Sequence, residues 1–340
     1  MSGTQPVAQN PRELGDQIAL AIQDKQPITH LLMDASLTKA FLDTPCEQGM
    51  RAIARCFMAF AGAAAAPDSA QAAAYLINRV GVDFYSPIGD ANGKKPIAYA
   101  VAADSVEGVN VFLSAYHGVL GNIYKQYGPT QRYNDAYSDL RDTFAQSLMT
   151  LHTKPEITQI LLQAADACQM FRPGFYETLV VPNFQDTSSG KRSVAKQFVF
   201  NASMTPGAPS IEQAQASIAY VVGCLQKSGV QHGQIINFLN FRDMMRDGET
   251  VLDQVRAMRR RETSVTRQIA WGNLDRYLVS LGAVAVKPEP EAAPADNGPK
   301  GPNAYEDVKG AAAVVAATKA VASAPEKRGF WARFIPGANA

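Results

Sequence analysis

Cysteine, histidine and net charge are all scarce in this chain of 340 residues, and each scarcity removes a class of function. The four cysteines, Cys46, Cys56, Cys168 and Cys224, include no Cys-x-x-Cys pair, so they read as small buried hydrophobes in a reducing compartment rather than redox or zinc ligands. His30, His117, His152 and His232 show neither His-x-x-x-His nor His-Glu-x-x-His spacing, and no metal or cofactor is expected. A formal net charge of +1 supplies no global field for a polyanion, which argues against nucleic acid as a partner. No apolar run reaches the ~20 residues that span a bilayer, and Met1 to Asn10 has neither the basic start nor the apolar stretch of a signal peptide. The expectation is a soluble cytoplasmic protein, with export by a system that cleaves no signal as the alternative.

Catalytic signatures are missing too. There is no Gly-x-Ser-x-Gly elbow, Gly-x-Gly-x-x-Gly loop or kinase set. Ser188–Ser189–Gly190–Lys191 fails as a phosphate loop because no glycine lies five residues before Gly190 and no Ser or Thr follows Lys191. No catalytic residue is assigned.

What remains is 46% hydrophobic sequence arranged at helical spacing. The stretch 72–116 carries the clearest organisation. Ala72 to Asp83 leads through a polar loop to Asp90–Ala91–Asn92–Gly93–Lys94–Lys95–Pro96, and then to two short apolar stripes: Ile97 and Ala100, followed by Val109, Phe112 and Leu113. Asp90 and Gly93 suit a tight turn, and Pro96 suits the first turn of a helix, where its missing N–H is no loss. Neither stripe is buried by one helix alone, so the unit stacks. This pattern resembles the ankyrin repeat, with turn, Thr-Pro-Leu-His-x-Ala, helix, short loop and helix. The departures are Lys95 for threonine, Ala98 for histidine and Asp104 for the inter-helix glycine, with Leu76–Ile77 and Phe112–Leu113 lying 36 residues apart rather than about 33. The bland alternative is an ordinary helical hairpin.

The expected fold is all-α: a helical-hairpin stack, a degenerate ankyrin-like solenoid, with additional helices and a disordered C-terminal tail. Residues 1–47 supply capping helices, with Leu14, Ile18, Leu20, Ala21 and Ile22 inward. Residues 48–117 hold the repeats, pairing a helix at 48–61 with one at 70–80, then 95–116. A helical region covers 118–283, beginning with a connection punctuated by Gly118, Gly121 and Gly128. It contains a hairpin around Pro155, a possible worn unit at 193–230, and one long brace from Glu249 to Leu281. Residues 284–340 form a disordered linker and a terminal basic-aromatic motif. The arginines of the brace, Arg256, Arg259, Arg260, Arg261 and Arg267, alternate with carboxylates, as on a solvated helix face.

In ankyrin-like stacks the turns project to meet another protein, which implies partner binding by Phe84, Tyr85, Ile88, Asn92, Lys94 and Lys95. The alternative has Phe84 and Tyr85 packing back onto the neighbouring turn. Phe330, Trp331 and Phe334 make the tail a second docking element, whether for a partner groove, a weak membrane-surface contact or an export signal. The reading is a non-enzymatic interaction module: adaptor, scaffold or secreted effector. The alternative is an enzyme with its site in 118–192 and repeats that recruit substrate.

Overall fold

The computed structural model describes residues 13–14, 17–18, 20–21, 24–33, 67–82, 84, 95–181, 193–242 and 248–287. The expected helix at 48–61 and the tail lie outside them, as do Tyr85, Ile88, Asn92, Lys94, Phe330, Trp331 and Phe334. Among the described residues there are twelve α-helices and no strand. No helix among them is long and apolar enough to cross a membrane.

The short α1 (Thr29–Leu32) packs on α2 (Ser69–Tyr75), which runs on as a π-helical turn, Leu76–Val80. Upstream, Leu14 and Ile18 are buried as expected, whereas Leu20 is 58% exposed, so the inward stripe there is narrower than its spacing implied. Four helical hairpins follow. They are α3 (Pro96–Ala102) with α4 (Val106–Tyr127), α5 (Gln131–Met149) with α6 (Pro155–Ala167), α8 (Val194–Met204) with α9 (Pro209–Lys227), and α11 (Val251–Arg261) with α12 (Val265–Ser280). Between them sit α7 (Tyr176–Val180), on α5 and α8, and α10 (His232–Leu239), on α9.

The hairpins contact one another in register. First helices form one row, α3 on α5, α5 on α8 and α8 on α11; second helices form another, α2 on α4, α4 on α6, α6 on α9 and α9 on α12. Each hairpin buries an apolar side on the preceding pair and, except for the last one described, another on the next, which is how units too short to be stable singly share a core. Phe112, Phe144, Phe171 and Trp271 are its largest fully buried apolar side chains.

Local chemistry sets the ends of these elements. Pro96, Pro155 and Pro209 open α3, α6 and α9 at the first helical position. Gly81, at φ 74°, closes the π turn in the left-handed region that only glycine enters freely. Two expectations are corrected here. Gly118 and Gly121 do not end a helix; α4 runs through both to Tyr127, because its packed face is carried by the neighbours Val119 and Leu120. The long brace is also two helices. Glu262 leaves α11 in an extended conformation and its Oε1 accepts from Thr263 N and Ser264 N, turning the chain back without Gly or Pro. With the turn made, Ala270, Trp271, Leu274 and Leu278 face the core, while Val265 and Ile269 are 69% and 59% exposed.

Two arginines of this last hairpin join elements, while Arg259, Arg260 and Arg261 lie exposed on α11. Arg256 pairs with Asp275 across the hairpin at 3.3 Å. Arg267 bonds Glu262 at 2.6 Å and donates to the carbonyls of Ala202, Thr205 and Gly207, capping the C-terminal end of α8.

Candidate functional site

A groove of about 890 Å³ lies between α2 with its π turn and the middle of α4. It arises from two features. The π turn keeps Leu76 in the core and leaves Ile77 and Asn78 on the groove side. On the opposite wall, α4 places Asn110, Ser114, Gly118 and Asn122 four residues apart, so they form one longitudinal stripe, flanked by the parallel row Val111, Ala115 and Val119. Small residues keep the floor open: a Cβ added at Gly118 or Gly81 meets nothing within 4 Å. Among the described residues, no charged side chain lines the cavity.

This lining suits backbone recognition. The amides of Asn78, Asn110 and Asn122 each offer a donor and an acceptor, the pair that an extended peptide presents. Among the described residues, the lining sets no nucleophile against a base.

Phe84 closes one end of the groove and is only 3% exposed. Its ring meets Tyr116 edge-on at 5.1 Å and Phe112 at 6.4 Å, and its carbonyl accepts from the Tyr116 hydroxyl. It is therefore a wall of the site rather than an exposed hot spot, because an aromatic ring beside two others is driven off the surface. Lys95 is corrected likewise. Its side chain is 11% exposed and runs inward from the start of α3 to α5, donating to Asp139 Oδ1 at 2.5 Å and Thr143 Oγ1 at 2.9 Å. The start of α3 is thus tied to α5 by an ammonium.

A second surface was not foreseen. Tyr124 meets Tyr133 at 5.3 Å, Tyr133 stacks with Tyr137 at 6.0 Å, and Tyr137 meets Phe175 edge-on at 5.4 Å. Arg132 lies over Tyr127, Arg141 over Phe175, and Arg172 over both Tyr137 and Phe175. The signal was present as Tyr133, Tyr137 and Arg141 at four-residue spacing, which places them on one face once 131–149 is read as a single helix.

The remaining reactive groups are built into the frame. Burial pushes the Cys168 and Cys224 thiols up to about 12, so both stay protonated and inert. His152 is 3% exposed between the Thr150 carbonyl and the Thr158 hydroxyl, and burial holds its pKa below the ordinary value. Among the described residues, no group of three or more His, Cys, Asp or Glu could hold a metal ion. No protein-family model, curated protein or solved structure matches the chain.

Proposed function

We propose that the chain is a non-enzymatic binding scaffold, an ankyrin-like solenoid with degenerate repeats, whose α2–α4 groove takes an uncharged extended segment of another protein. The observation that carries this reading is the groove itself: amide-rich walls, a floor of small residues and no charged side chain among the described residues that line it, held between α2 and α4. The C-terminal motif Phe330, Trp331 and Phe334 then serves as a second docking arm on the same partner.

Photo-cross-linking tests the groove. A cross-linking amino acid at Ser114 captures a partner from a lysate, and one at Arg260 on α11 does not. Gly118→Phe fills the groove from a position where a Cβ meets open space, so the chain folds and the Ser114 cross-link disappears. Equal capture at the two positions, or capture that survives Gly118→Phe, rejects the groove. A chain ending at Lys287 tests the arm. If it captures the same partner as the full chain, the arm has no docking role.

A further inference from the structure

The Tyr–Arg surface carries a separate conclusion. It is assembled from the end of α4, the first three turns of α5 and the segment before α7. Its rings pack on one another, and its guanidiniums lie close over ring faces. Arg132 is 4.7 Å from the Tyr127 centroid; Arg172 is 5.3 Å from that of Tyr137 and 4.1 Å from that of Phe175. Arg141 bonds its neighbour Asp142, but no carboxylate among the described residues pairs with Arg132 or Arg172, and both are exposed. Asp135 accepts from Gln131, and Asp139 is paired with Lys95. The first turn of α5 contains no acidic residue and no capping side chain, so the positive end of a helix adds to the two free guanidiniums.

We infer that this surface docks an acidic segment of another protein. A guanidinium resting on aromatic faces is fixed in orientation yet keeps its N–H edge outward, ready for a carboxylate fork with little entropy left to lose. Tyr and Arg are also the residue types in which interface energy concentrates. Single-stranded nucleic acid fits less well. Base stacking needs free ring faces, and here Tyr133 faces Tyr137 while arginines cover Tyr127, Tyr137 and Phe175.

The inference rests on the scaffold reading but not on the groove, and the two fail separately. Fluorescence anisotropy on the full chain uses a labelled twelve-residue peptide of four Glu-Asp-Leu repeats, its Gln-Asn-Leu counterpart, and a twelve-nucleotide oligothymidine. The acidic peptide binds, its affinity falls with added salt, and the neutral peptide does not bind. Arg172→Ala weakens binding about tenfold and Arg132→Ala by a lesser factor, while Arg172→Lys, which keeps the charge but loses the fork, falls between wild type and Arg172→Ala. Gly118→Phe leaves this binding intact. Equal binding of the neutral peptide, failure of the acidic peptide to bind, or indifference to both arginine variants overturns the inference. So does oligothymidine binding more tightly than the acidic peptide and losing affinity in the same variants.

Discussion

Asp104 occupies the position between α3 and α4 where the resemblance calls for glycine, and its φ of 53° lies in the left-handed region. Aspartate tolerates that conformation better than most residues and uses it. Its carboxylate accepts from Thr153 N at 2.8 Å, Lys154 N at 3.0 Å and the Thr153 hydroxyl, closing the entrance of α6 in the next hairpin. Asp68 does the same for α1, through Ile28 N and Thr29 N. Asp253 holds Thr250 N, Val286 N and Lys287 N. In each case burial alone would raise the pKa, and the converging hydrogen bonds outweigh it and leave the group below the ordinary carboxylate value. Asp104→Ala should therefore cost about 1–2 kcal/mol, as for loss of a helix cap, measured by urea unfolding at neutral pH. The acid response follows from the signs. His152 is lowered, so its contribution is complete above about 6.5 and declines as pH falls from there toward its folded value. The three aspartates contribute fully above about 4 and lose that contribution only as pH drops through their lower folded values. His152→Gln should flatten the first decline and leave the second; a melting-temperature profile unchanged between pH 7 and 5 in that variant and wild type alike counts against this assignment.

At the scale of elements, the legible ends were those written in Pro. Pro96 and Pro155 marked real boundaries because each acts through the backbone, whatever surrounds it. The misread ends depended on neighbours. Gly118 and Gly121 looked like breakers, yet α4 crosses them on the strength of Phe112, Leu113 and Tyr116, which are buried, and Val119 and Leu120, which pack on the core. The turn at Glu262–Ser264 uses a side-chain carboxylate, a signal that helical spacing on both sides conceals. Gly121 lies inside α4 and a Cβ there meets nothing within 4 Å, so Gly121→Ala should stabilise the chain by about 0.5–1 kcal/mol. Thermal unfolding decides it, and a lower melting temperature would mean that close packing, not absence of selection, keeps the glycine. The candidate site was legible only in part. Phe84 was expected on a projecting turn, but it is buried against Phe112 and Tyr116, residues about thirty positions downstream that no local pattern brings near.

For the whole molecule, the two rows of helices were harder to see than any helix in them. The insertions carrying α7 and α10 separate successive hairpins by unequal lengths, so no constant period survives beyond the second hairpin and the fourth was taken for a brace. In such a stack a unit flanked on both sides is held by two interfaces and a terminal one by a single interface. Hydrogen exchange should accordingly be slowest in α5, α6, α8 and α9 and faster in α11 and α12. Uniform protection across all four hairpins would point instead to one indivisible core. The chain leaves this last hairpin at a fixed place. Val286 N and Lys287 N are both tied to Asp253, beside Thr250, whose hydroxyl reaches the Val284 carbonyl. Tension applied at Lys287 meets the stack at Asp253, with Glu249 on the Lys287 ammonium and Asn240 on Val284 N beside it, so acid that neutralises Asp253 would loosen this anchorage without releasing it.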